Sequence, residues 1–113
     1  MIGVDLVDVN RLRAVLERSP GLERRLFSGM ERSYCRSKSD PVRHFAGTLA
    51  AKEAVIKAAR LGSLVAWARR VEITRDASGA PGVCLDGRAA PISTSISHDG
   101  GMAIAAAMML PKE

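Results

Sequence analysis

The chain has 113 residues, 47% hydrophobic and only 4% aromatic, which predicts a modest core of Ala, Val, Leu, Ile and Met packed by close approach of small side chains. Seventeen basic residues against twelve acidic ones give a net charge of +5 at pH 7, which points to an anionic partner. Cys35 and Cys84 lack CxxC or CxxH spacing, which argues against a zinc site and a disulfide framework; no signal sequence is expected, and the apolar run 102–110 is too short to span a bilayer, so a reduced cytoplasm is the expected compartment.

Ile2 to Val7 reads as a strand, with β-branched residues at Ile2, Val4 and Val7. Asp5 lies in its middle, where an acid is expensive unless it is paired or binds a metal. Asp8 or Asn10 is expected to cap a short helix over 11–16, which Pro20-Gly21 stops. Its outer side carries Arg11, Arg13 and Arg18, and the next turn or two, 22–27, adds Arg24 and Arg25. Ser28-Gly-Met-Glu31 matches a capping box and predicts a helix over 29–37.

Asp40 as N-cap and Pro41 at the first helical position open the longest helix, which runs to Ala59. Phe45, Leu49 and Ile56 form its buried stripe, and Lys52 shares it, an odd place for an ammonium. Beside the stripe lie Ala46, Ala50, Glu53 and Lys57; the two alanines give clearance for another backbone, read here as the strand carrying Asp5. Gly62 is expected to be the left-handed cap. The stretch 64–70 is ambiguous, with Trp67 as its anchor. Beyond it the pattern turns to strands: 71–75 alternates, 76–81 is turn chemistry, 82–85 is a short strand, and 92–97 ends at His98. A tight turn at Asp99-Gly-Gly leads into a closing strand, 102–110. The sum is one α+β domain over 1–113, a small mainly antiparallel sheet on one long helix, with an Ala-rich hairpin as the floor beneath it.

Asp5, Glu53, Lys57 and His98 stand where packing alone would not put them. Two converging carboxylates with open coordination positions suit Mg²⁺, which keeps waters and takes further ligands from phosphates. Taken singly, Glu53–Lys57 is an ordinary i,i+4 pair and His98 a turn residue. A basic nucleic-acid-binding module is an alternative. It lacks a motif and a stacking platform, with only Phe27, Tyr34, Phe45 and Trp67 available. A catalytically silent structural relative is a further alternative, against which the presence of both Asp5 and Glu53 argues.

The opening Ile-Gly-Val-Asp5, the segment Phe45-Ala-Gly-Thr-Leu-Ala-Ala-Lys-Glu53-Ala-Val-Ile-Lys57-Ala and Ser95-Ile-Ser-His98 occur in that order. Together they resemble the holo-acyl-carrier-protein synthase group of 4′-phosphopantetheinyl transferases. The resemblance implies transfer of phosphopantetheine from coenzyme A to a serine of an acidic acyl carrier protein, with release of 3′,5′-ADP. It also implies Mg²⁺ dependence (Mn²⁺ as substitute) and a homotrimer with active sites between subunits. By position, Asp5 and Glu53 match the metal ligands and Lys57 the lysine near the pyrophosphate. Ser97 and His98 would face coenzyme A, and Glu53 or a metal-bound water would take the serine proton. The stem of Lys52 is expected to cover the core while its amine reaches the phosphates or a carboxylate. Arg11, Arg13 and Arg18 would dock the carrier. Where members usually have Arg and Gly-Lys-Pro, this chain has Thr48 and Gly79-Ala80-Pro81; Arg43, His44 or Arg60 would make up the lost charge toward coenzyme A.

Overall fold

The computed structural model describes residues 1–111. Strand β1 (Ile2–Asp8) turns Gly3, Asp5 and Val7 inward and leaves Ile2, Val4 and Leu6 exposed, the alternation of a strand covered on one side. It runs straight into α1 (Val9–Arg18), whose cap is Asp8; the carboxylate accepts the Arg11 N–H at 3.0 Å. With the cap at Asp8, the helix starts two residues before the expected 11–16 segment. Next come α2 (Leu22–Leu26) and α3 (Gly29–Arg36), and around the start of α3 Ser28 and Glu31 close the expected capping box in both directions.

The long helix α4 (Pro41–Ala59) has the expected bounds but different ends. Asp40 makes no cap bond. Its carboxylate instead accepts from both terminal nitrogens of the Arg13 guanidinium at 3.3 Å, so its backbone leaves the cap geometry. At the other end Arg60, not Gly62, adopts the left-handed conformation (φ 54°) and donates its N–H to the last-turn carbonyls of Ile56 and Lys57. Gly62 also has positive φ, in the connection beyond. The buried face of α4 is far wider than one stripe. It includes Phe45 to Lys52 without a break and Ala54 to Ile56, because neighbours cover the helix on most sides. The ambiguous stretch contains α5 (Leu64–Trp67), capped by Ser63 Oγ, which accepts the Ala66 N–H. Trp67 carries the Arg70 guanidinium 3.7 Å over its ring.

The later strands divide into two antiparallel sheets. One has the order β2 (Val71–Arg75), β3 (Pro81–Leu85), β4 (Arg88–Ala89), the last a two-residue strand for which the sequence carries no expectation. The other has the order β1, β6 (Met102–Met109), β5 (Ile92–Asp99), so the chain's first strand pairs with its last. In that sheet Asp5 faces Ala105 across the ladder and His98 faces Ala103. Ala103, Ala105 and Ala107 are buried beneath α4, the expected alanine floor. His98 lies within β5, one residue before its end. The sheet's outer face leaves Ile2, Val4, Leu6, Ile104 and Met108 exposed.

Candidate active site

Gly3 sets the distance between β1 and α4. A Cβ at this position would lie 2.0 Å from the Ala54 carbonyl oxygen and 2.8 Å from the Ala58 nitrogen, so no other residue fits without moving backbone. The close approach is therefore made at Ala54 and Ala58, further along the same i,i+4 row of α4 than the expected Ala46 and Ala50, which are also buried. It brings Asp5, two residues on, over the last turns of α4. Lys57 Nζ donates to Asp5 Oδ1 at 2.7 Å and to the Val4 carbonyl at 3.1 Å. Lys57 thus pairs with the strand and not with Glu53 one turn earlier. The bond to Asp5 raises the pKa of the Lys57 ammonium and keeps it charged.

The second oxygen of Asp5, Oδ2, is buried with no hydrogen-bond partner. Burial, and then the neighbouring Asp5 carboxylate, push the Glu53 carboxyl up to about 7. Asp5 and Glu53 therefore form a like-charged pair that one lysine does not fully compensate, and one oxygen is desolvated without return. Such a pair is suited to a hard divalent cation. No cluster of three His, Cys, Asp or Glu exists among the described residues, so the remaining ligands of a cation here would be water or substrate oxygens.

His98 lies elsewhere. Its Nε2 donates to the Arg43 carbonyl at 2.9 Å, which fixes the proton on that nitrogen. Gly47 makes room for the ring; a Cβ there would be 3.0 Å from His98 Nε2 and 2.9 Å from Ile96 Cγ2. Arg43 precedes Glu53 by ten residues, about 15 Å along the helix. A single chain therefore does not bring His98 to the carboxylates. Ser97 is exposed on the opposite face of β5 from His98. The Arg43 side chain is exposed. His44 lies between Tyr34 and His98, with ring centroids 6.0 and 6.2 Å away; burial first, then the His98 charge, lowers its pKa. Lys38 and Arg75 both lie over the Tyr34 ring, at 4.7 and 4.8 Å.

Lys52 requires a correction. Its side chain is fully buried and its amine turns inward, pairing with Glu31 and donating to the Leu26 carbonyl at 2.9 Å. It is not placed to touch a phosphate. The partner is a carboxylate, one of the two expected, but the ammonium reaches it through the core and not at the surface. Glu31 is the hub: Oε1 also accepts the Ser28 N–H at 2.8 Å, and Oε2 accepts the Ile73 N–H at 2.7 Å. Burial lowers the pKa of Lys52 and Glu31 draws it back up. Thr48 is buried too, its Oγ1 3.7 Å from Cys35 Sγ, whose thiol burial pushes up to about 11. An unpaired charge would not be tolerated at Thr48 in these dry surroundings. Ala80 is exposed, its N–H donating to Asp76 Oδ1 at 3.0 Å within the 76–80 turn.

Among the arginines of α1, Arg11 and Arg18 are exposed, whereas Arg13 is held by Asp40. The sequence reading missed Glu31 and Gly47. A lysine on a buried stripe called for a distant carboxylate, and Glu31 ends a capping box. A glycine inside a helix called for a close neighbour, here His98.

Residues 1–107 match the 4′-phosphopantetheinyl transferase superfamily. The chain is 40% identical to a holo-[acyl-carrier-protein] synthase of Geotalea daltonii, covering 91% of each protein. To the enzyme of the same name from Desulforudis audaxviator it is 41% identical over 95% of this chain and 89% of that one. Among solved structures it is similar to the Helicobacter pylori holo-[acyl-carrier-protein] synthase in complex with coenzyme A. The TM-score is 0.77 and the identity 30%, over 96% of this chain and 98% of that one. An ACPS–CoA complex from Chronobacterium ammoniagenes gives a TM-score of 0.78 at 32% identity, over 94% and 92% of the two chains. With its transferase helix, its strand-borne Asp5 and a match along nearly its whole length, the chain belongs to the 4′-phosphopantetheinyl transferase superfamily.

Proposed function

We propose that this chain transfers the 4′-phosphopantetheine group of coenzyme A to a serine of an apo-acyl carrier protein. The observation that carries the reading is the convergence of Asp5 and Glu53, with Asp5 Oδ2 orphaned and Lys57 beside it. These two carboxylates fit Mg²⁺, or Mn²⁺ in its place, and would hold it with the ligand set such ions prefer. When bound, the ion supplies charge neutralisation at the pyrophosphate oxygens.

The serine Oγ forms a bond to the phosphorus that carries the pantetheine arm. The pyrophosphate bridge P–O bond breaks, and its electron pair leaves with 3′,5′-ADP. The serine proton passes to the carboxylate pair. Lys57, exposed at its tip and cationic, puts a second positive charge where the leaving group develops negative charge. Asp5 in turn depends on Lys57 for its position, so that lysine holds the site together as well as facing the phosphates.

His98 and Arg43 lie too far along α4 to serve the same carboxylates within one chain. A compact trimer with sites between subunits removes that difficulty, because coenzyme A would span from one subunit to the next. The exposed apolar face of the β1–β6–β5 sheet supports self-assembly: Ile2, Val4 and Leu6 lie there beside Ile104 and Met108. Arg11 and Arg18 on α1 steer the acidic carrier. No helix among the described residues is long and apolar enough to cross a membrane; a cytoplasmic location goes with these two substrates. The test is the intact mass of an apo-carrier after incubation with the protein, coenzyme A and Mg²⁺. A phosphopantetheine adduct that disappears in Asp5→Asn is expected; no adduct with several carriers would refute the activity.

A further inference from the structure

We propose that Arg60 is a substrate-binding residue of this site, a guanidinium held at the end of α4 to grip a phosphate group of coenzyme A; the assignment rests on the transferase reading above. Two residues other than glycine have positive φ among the described residues, Arg60 (54°) and Asp86 (49°). The left-handed conformation crowds any Cβ, so a residue of this kind needs a reason to be there. Asp86 has one in its side chain, which accepts from Arg70 Nε at 2.8 Å and from Nη2 at 3.0 Å. Arg60 has none within the fold. It forms no ion pair among the described residues, and its exposed guanidinium donates to Met1 Sδ at 3.8 Å, a weak acceptor. A glycine would end the helix here without strain, and Gly62, two residues on, already has positive φ.

The position sets these unspent donors beside the reacting groups. The Arg60 N–H donates to the Lys57 carbonyl at 3.3 Å and closes the turn that carries Lys57. Glu53, Lys57 and Arg60 stand at i, i+4 and i+7, so Arg60 continues the edge of α4 that faces Asp5. Both cations lean on the same strand. Lys57 Nζ reaches Val4 and Asp5, and Arg60 Nη2 reaches Met1, just before β1. Three residues of extended chain, ~10 Å, separate Met1 from Val4. The lip of the site therefore carries two positive charges in a row, with the carboxylate pair at one end.

A lysine and an arginine spaced in this way suit a substrate with separate phosphate groups. Coenzyme A has two, the pyrophosphate and the 3′-phosphate. A guanidinium fits either well, because two parallel N–H donors meet two oxygens of one phosphate. The helix dipole gives a smaller reason for a cation at this end. An ordinary helical position would meet it equally, and Lys57 already stands in the last turn. The dipole therefore leaves the left-handed backbone unexplained. Arginine at this point costs the fold some stability and supplies a charge aimed at the substrate.

The test compares Arg60→Gly with the wild type in the full chain, with Arg88→Ala as an equal loss of charge on β4. Coenzyme A and 3′-dephospho-coenzyme A are titrated by calorimetry with Mg²⁺ present, so that binding is read apart from transfer. Arg60→Gly is expected to melt at or above the wild type without ligand and to raise the coenzyme A Kd by about tenfold. Arg88→Ala should leave both as they are. If the Kd of 3′-dephospho-coenzyme A is the same in Arg60→Gly and wild type, the guanidinium holds the 3′-phosphate; a rise equal to that for coenzyme A places it on the pyrophosphate. Wild-type affinity for coenzyme A in Arg60→Gly overturns the proposal. Should that variant melt below the wild type, Arg60→Asn, which also tolerates the left-handed backbone, decides by the same titration. If the wild type binds coenzyme A but transfers nothing to any carrier, the transferase reading fails and the titration still judges Arg60. If the wild type does not bind coenzyme A, both fall.

Discussion

Replacing Glu53 by Gln should stabilise the metal-free protein while removing its activity. The group that titrates at about 4.5 when exposed titrates near 7 in the folded chain, because burial and Asp5 both oppose its charge. The folded state therefore holds more protons than the unfolded state between these values. Stability of the metal-free chain falls as pH rises from about 4.5 to about 7 and stays low above it. A shift of that size has a ceiling of roughly 3 kcal/mol at 1.36 kcal/mol per pKa unit. Glu53 is only half-buried, so solvent screening reduces the effect to about 1–2 kcal/mol. Gln keeps the shape and removes the charge. At pH 8 without metal, Glu53→Gln should melt about 5 °C above the wild type, by the scaling for a domain of this size. Near pH 4.5 the two should melt together. Mg²⁺ should raise the melting temperature of the wild type and leave the variant unchanged. Scanning calorimetry at the two pH values, with and without Mg²⁺, decides it. A variant that melts at or below the wild type at pH 8 would refute the account of Glu53 as a charge destabilised by Asp5.

Gly3→Ala forces a Cβ into the Ala54 carbonyl; it should cost about 3 kcal/mol or more in denaturant titration and abolish transfer by moving Asp5. Glu31→Gln leaves the buried Lys52 ammonium without its charged partner and should cost about 3–5 kcal/mol, and the double variant Glu31→Gln with Lys52→Met should recover much of it; additive losses would show that the two do not form a coupled pair. Arg11→Ala should weaken carrier binding in fluorescence anisotropy more than Arg13→Ala does, because Arg13 already serves Asp40; equal losses would put both arginines on the carrier.

The local signals in the sequence were reliable where the physics is local. Ser28 and Glu31 make the capping box their spacing predicts, and the alanines of β6 alternate into the floor beneath α4. The same residues were opaque where their partners are distant. Glu31 reads as a cap because Ser28 is three residues away; its bonds to Lys52 and Ile73 reach 21 and 42 residues along the chain. The inward turn of Lys52 followed from that partner and from no pattern on the helix. Asp5 and Glu53 were legible as misplaced charges, but where the strand crosses depended on Gly3 against Ala54, a contact between backbones that no side-chain periodicity encodes. Asp40 and Gly62 show the complementary error. Each fits the role its residue type favours, and each was displaced by a neighbour, Arg13 drawing the carboxylate and Arg60 taking the left-handed turn.

Strand β1 carries two separate duties on alternate residues. Asp5 looks toward α4, and Val4 and Leu6 look toward the face proposed for assembly. A strand has period two, so a slip of one residue against β6 would exchange them. Asp5 would move to the apolar outer face, and Val4 or Leu6 would stand against Glu53. Catalysis and assembly would fail together, from one event that changes no residue. Gly3, which lets the strand touch the helix at one register only, makes the chain intolerant of a single residue inserted or deleted between Gly3 and Asp8.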